Sequence, residues 1–169
     1  MTGSPGPGPE AESAFTSADA SPGLLLWRVT LAWQRAMRAA LAPHDLTHVQ
    51  FVLLASTWWL GEHGGAPRQQ RLAAHAGTDP MMTSQVVRRL ARAGLVERTP
   101  DPRDSRAQLV ALTPAGQTVL RGALRDVEAA DAAYFAPVGA GTDAFLDALR
   151  SLAAGTPDGP ALSGWRAPG

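Results

Sequence analysis

Cysteine is absent from the sequence, and so is lysine. Without a thiol the chain has no disulfide, no thiolate metal site and no cysteine-based sensing of oxidants. No apolar run approaches the roughly 20 residues that a bilayer-spanning helix needs. The N-terminus lacks a basic segment leading into an apolar one, so it does not read as a secretory signal, and a cytoplasmic protein is the expectation. Catalytic signatures are missing too. There is no Gly-rich phosphate loop, no serine in a nucleophile elbow and no histidine pair at zinc-hydrolase spacing, so no enzyme and no cofactor is expected. What remains is a chain of 169 residues, 45% hydrophobic, which suffices for one core.

Net charge is zero, but its distribution is uneven. Between Arg68 and Arg106 stand eight arginines against four acidic residues, a net of +4, so the remainder carries −4. A basic module on an acidic body is the footprint of local phosphate-backbone binding.

Taken in order, residues 1–23 are rich in Gly, Pro, Ser and Ala and read as a disordered tail. Residues 24–154 read as one domain, and 155–169 as a second flexible tail. The first helix, Leu24 to Leu41, is apolar around most of its circumference and therefore needs cover on nearly all sides, which a second subunit would supply. Pro43 stops it. Thr47 and Gln50 form a capping box, with Leu46 against Phe51 as a hydrophobic staple, and Gly61 is expected to end the second helix. A third helix from about Pro67 to Ala76 turns Leu72, Ala73 and Ala76 inward and Arg68 and Arg71 outward. Gly77 makes the turn, and Asp79-Pro80 reads as the cap and first residue of a fourth helix. Thr83, Val86, Val87, Leu90 and Leu95 form its inward stripe; Met81, Ser84, Gln85, Arg88 and Arg92 oppose them. Leu95–Thr99 and Arg106–Leu112 read as a hairpin around the turn residues 100–105. Thr113-Pro114 opens a long helix that Pro137 breaks, and Thr142 opens the last.

The fold class is thus mainly α with a small β-hairpin wing, a winged helix-turn-helix in the module 67–112 between terminal helices suited to dimerisation. Base edges are read near the N-terminus of such a second helix, which selects Thr83, Ser84 and Gln85. Glutamine suits adenine; Arg88 and Arg89 suit phosphate or guanine. Arg103, at the hairpin tip, is expected in a minor groove. Arg106 stands equally for a DNA contact or for an ion pair with Asp101 or Asp104. Arg68 and Arg71 complete the expected DNA-binding set.

The residues Gly77–Leu90, Ala93–Arg98, Asp101-Pro-Arg-Asp-Ser-Arg106 and Leu112-Thr-Pro-Ala-Gly116 closely resemble the MarR family of transcriptional regulators. The resemblance spans about Leu24 to Ala153. It implies a homodimer with interdigitated terminal helices, a palindromic operator in double-stranded DNA, and repression relieved by a small ligand or an oxidant. The sulfur route being closed, a small aromatic or amphipathic ligand is expected, in a site that by the same resemblance involves Trp27, His44, His48 and Trp58. The residues themselves leave another reading open, that these tryptophans are simply core. Many members carry arginine in place of Gln85 and polar residues in place of Met81 and Met82, so the operator is this chain's own. The alternatives are a winged-helix module that binds a protein partner, and a metal-responsive repressor. His44, His48, His63 and His75 are the only imidazoles, however, and they lack a carboxylate at ligand spacing.

Overall fold

The computed structural model describes residues 17–155, so most of both expected tails lies outside the described residues. The chain divides into two units, Met1–Gln34 and Arg35–Gly169, with the division inside the first long helix.

In the first unit the helix begins earlier than expected. A single 3-10 turn, Ala18–Ala20, precedes α1, Pro22–Leu41. Proline at the first helical position leaves no amide to satisfy, and the Leu24 amide donates to Ser21 Oγ at 3.3 Å. The last residues of the nominal tail are therefore helical. Leu25, Leu26, Trp27 and Val29 are exposed, Trp27 by 61%.

The second unit is built around α2, His48–Gly64. Its Thr47 cap accepts the Gln50 amide while the Gln50 side chain accepts the Thr47 amide at 2.7 Å, the reciprocal box expected from the sequence. Buried side chains run from Phe51 to Leu60 on every side, with the Thr57 hydroxyl satisfied by Leu53 O at 2.7 Å. Trp58 is only half-buried, and Leu53 takes the fully buried place instead. Gly61 does not end α2. The helix continues to Gly64, and Gly65, at φ +76°, donates its amide to Gly61 O. The extra turn is supported by His63, whose ring lies 4.0 Å from Trp59 and whose Nδ1 meets Trp59 O at 2.8 Å.

Around α2 pack α3 (Gln69–Ala76), α4 (Pro80–Arg92), the strand β2 (Asp104–Leu112) and α5 (Pro114–Phe135). Leu53, Leu54, Leu72, Val87, Leu90, Val110 and Leu120 form the fully buried centre. A 3-10 segment, Ala136–Gly141, leads to α6, Thr142–Ala154, where Gly139 takes φ +56°. No side chain of α6 is buried, and Leu146, Leu149 and Leu152 stand exposed. No helix among the described residues is long and apolar enough to cross a membrane.

Candidate nucleic-acid interface

The helix-turn-helix is set by three local devices. Gly77 closes α3 in the left-handed region, at φ 62°, a conformation that costs a Cβ-bearing residue energy. Asp79 caps α4, its Oδ1 accepting both the Met81 and Met82 amides at 2.8 and 3.0 Å. Thr83 completes the turn from inside. Its hydroxyl donates to Asp79 O at 2.9 Å and lies 2.7 Å from the Thr78 hydroxyl. Thr83 is 0% exposed, so the expectation that it reads bases is corrected: it locks the turn and presents nothing outward. Its hydroxyl marks it as polar in sequence, but its position on the Val86–Leu90 stripe decides.

The outward face of α4 carries Met81, Met82, Gln85, Arg88, Arg89 and Arg92, with Ser84 half-buried at its edge. The wing stands beside it. Strands β1, Val96–Asp101, and β2 pair antiparallel from Val96↔Leu112 to Pro100↔Gln108; then the register shifts and Asp101 meets Asp104. Both strands run further than expected, leaving Pro102 and Arg103 alone at the tip. An isolated bridge outside the two-stranded sheet adds one pairing. Pro67, fully buried, accepts the Val110 amide at 3.0 Å, and Arg68 bridges to Leu109. The chain here is extended rather than helical, and α3 starts at Gln69. Proline lends β2 its carbonyl without leaving an amide unpaired.

Asp101 braces the tip. Its side chain is 7% exposed; Oδ1 accepts the Arg103 amide at 2.8 Å and Oδ2 accepts Arg68 Nε at 2.6 Å. Asp104 repeats the device, Oδ1 accepting the Arg106 amide at 3.1 Å, while Oδ2 lies 3.8 Å from Arg68 Nη1. The two aspartates therefore pin Arg68, not Arg103 or Arg106, as the ion-pair partner. Arg68 becomes a strut under the wing rather than a free phosphate contact. Neither the Arg103 nor the Arg106 guanidinium has a carboxylate within ion-pair distance among the described residues.

Two grooves flank the strut. One, of about 420 Å³, is lined by Gln69 and Gln70 of α3, Ser84 of α4 and the wing residues Arg98, Arg106 and Gln108, together with Arg68 and Asp104. The other, of about 540 Å³, is bordered by Arg71, Arg103 and the Gly64–Pro67 backbone. Arg98 escaped the sequence reading as a site residue. Its only signal was a cation on the strand that faces the second helix.

The bond from the Arg103 amide holds the Asp101 carboxyl below the ordinary carboxylate range, with Arg68 adding to the effect and burial opposing it. A carboxylate depressed in this way stabilises the wing at neutral pH, and that contribution disappears as pH falls through its lowered folded value. The Arg103 amide resonance should therefore hold its native position until the pH falls below the ordinary aspartate range, and shift only there. Asp101→Asn should abolish that acid step and leave the tip disordered at neutral pH. An unchanged titration in the variant would refute this role.

The expected ligand-site residues are His44, His48, Trp58 and Trp27. His44 Nε2 lies 2.6 Å from Asp126 Oδ2, and its ring rests on Gly122, where a Cβ would come within 2.8 Å. That contact clasps the 42–44 turn to α5, so His44 is engaged structurally. His48 is partly enclosed; burial pulls its pKa down, and Asp131 partly offsets this. Trp58 stands edge-on to Trp59 at 6.4 Å. Trp27 lies on the exposed part of α1 described above. Among the described residues no three His, Asp or Glu side chains gather as a metal site.

Comparison with known proteins agrees with this architecture. Residues 46–107 match the MarR family model. The chain is 43% identical over 143 residues to the uncharacterized HTH-type transcriptional regulator YdcH of Bacillus subtilis, covering 85% of this chain and 97% of that one. CouR of Rhodococcus jostii RHA1, solved with p-coumaroyl-CoA, aligns at 31% identity and a TM-score of 0.73, over 84% of this chain and 98% of that one. A CouR repressor bound to a 23-mer DNA duplex aligns at 25% identity and a TM-score of 0.73, over 85% and 99%. Likeness of this extent to regulators of transcription, on the winged helix-turn-helix built above, establishes that the chain belongs to the MarR family of DNA-binding transcriptional regulators.

Proposed function

We propose that the protein is a homodimeric repressor that binds a two-fold symmetric operator and is released by a small aromatic or amphipathic ligand. The observation that carries this reading is the face shared by α4 and the wing. Gln85, Arg88 and Arg89 lie along an exposed helix surface with Ser84 half-buried at its edge, and Arg103 and Arg106 stand without a carboxylate partner on a braced hairpin beside it. That is the arrangement of a helix in a major groove with a hairpin reaching the adjacent minor groove. Arg71, across the second groove, suits a flanking phosphate. Arg68 serves by holding the wing.

Dimerisation is supported by apolar surface that soluble chains seldom leave uncovered. Leu25, Leu26, Trp27 and Val29 on α1, and Leu146, Leu149 and Leu152 on α6, are all exposed in the single chain. The ligand is supported by the relative solved with p-coumaroyl-CoA, an amphipathic molecule with an aromatic end. The proposed contacts are Trp27, His44, His48 and Trp58, with His44 Nε2 lying 2.6 Å from Asp126 Oδ2.

Selection of bound duplexes from random-sequence DNA tests the reading. The expected outcome is enrichment of a site whose two halves are related by two-fold symmetry, bound by two chains, with about 10 base pairs between half-site centres. Failure to enrich any sequence, or enrichment of one asymmetric site by a single chain, would contradict it.

A further inference from the structure

We propose that Met81 is a specificity-determining residue that reads a thymine 5-methyl group in the operator. This rests on the reading that α4 enters the major groove. Met81 is 71% exposed and its neighbour Met82 40%, although the opposite face of the same helix buries Val86, Val87 and Leu90 almost completely. Two large apolar side chains have thus been left out of an available core.

Their place on the helix names the partner. Met81 begins the stripe that continues at helical spacing through Ser84, Gln85 and Arg88. Along that stripe the chemistry passes from thioether to hydroxyl and amide, then to guanidinium. A major groove presents the matching series: methyl groups, base-edge donors and acceptors, and phosphates.

The leading end of α4 is also closed to phosphate. The positive end of a helix ordinarily attracts an anion through its free amides. Here Asp79 Oδ1 already takes both the Met81 and Met82 amides and sets a carboxylate charge at that end. A phosphate is therefore disfavoured beside Met81, which leaves the base edges as its partner in the groove. Among unmodified bases, the thymine methyl is the apolar feature of the major-groove edge. The flexible, unbranched methionine side chain suits contact with a methyl at variable depth.

The test uses the full chain and the duplex enriched from random-sequence DNA, with thymines replaced one at a time by deoxyuridine, which lacks only the methyl. The wild-type protein should lose about fourfold in affinity at one thymine in each half-site, the value of one buried methyl-sized group. Met81→Ser should bind the thymine and uracil duplexes equally, and Met81→Leu should keep the discrimination. If the wild type is indifferent to uracil at every position, the proposal is overturned while groove binding by α4 stands; a protein-docking role for the methionines gives that same indifference. Retention of the thymine preference by Met81→Ser would overturn it as well. If no duplex is enriched at all, the failure lies in the DNA-reading role of α4 itself, and the proposal falls with it.

Discussion

Replacing Gly116 with alanine is expected to destabilise the protein by about 3 kcal/mol or more, at or beyond the upper end of ordinary overpacking. A Cβ at Gly116 would lie 1.9 Å from Leu95 O and 2.9 Å from Leu95 C. These are backbone atoms, so no rotamer change can make room. Nor is the backbone free to retreat. Leu95 O already accepts the Thr113 amide at 3.1 Å, the Thr113 hydroxyl donates to Gly94 O at 2.6 Å, and the Gly116 amide donates to Thr113 Oγ1 at 3.0 Å. The start of α5 is thus laced to the base of the wing, and the Leu-Thr-Pro-Ala-Gly run is the sequence trace of that lacing. Thermal unfolding should fall by roughly 10 °C for a chain of this size. Gly61→Ala provides the contrast. That glycine sits inside α2, with nothing within 4 Å of an added Cβ. Alanine there should raise stability by about 0.5–1 kcal/mol, because it removes glycine's entropic cost in a helix. A Gly116→Ala protein that melts within a degree or two of wild type would show that the wing and α5 are not laced in this way.

The second large effect concerns DNA. Arg103→Ala should weaken operator binding about tenfold, the loss of one charge-assisted contact worth roughly 1.4 kcal/mol. Arg150→Ala should leave binding unchanged. The two arginines differ in what they are doing already. Arg103 has its amide fixed by Asp101 and its guanidinium unpaired at an exposed tip. Arg150 is bonded to Asp147 at 2.7 Å on α6, a helix that packs against the 136–141 segment. Both are exposed, so both variants should fold as wild type does. Equal affinities in a gel-shift titration would remove the wing tip from the interface.

Helix starts were legible in the sequence wherever the signal was local. Thr47 with Gln50, Asp79 with Pro80 and Thr113 with Pro114 each cap the helix that their spacing announces. Legibility failed where a partner is distant in the chain. Arg68 and Asp101 are 33 residues apart, so neither neighbourhood announces their pairing; the sequence leaves Arg106 open between DNA and a wing aspartate, and the aspartates hold Arg68 instead. Pro67 looked like a helix start because proline favours that position, yet its carbonyl accepts the Val110 amide from β2 and the chain stays extended to Arg68. Thr83 looked like a base reader by residue type and like core by its position on the stripe, and the structure decides for core. Gly61 looked like a stop because the aromatic support of the next turn, His63 on Trp59, is invisible to a rule about glycine.

On the proposed function the α4–wing face binds duplex DNA through phosphates, although the formal net charge of the chain is zero. Measuring operator affinity against salt concentration tests it most directly, since no general positive charge can mimic the effect. With several unpaired arginines on that face, the log–log slope should be about −4 or steeper, and Arg103→Ala should make it shallower by about 1. A slope shallower than about −1 would mean that phosphates are not what this face was built to meet.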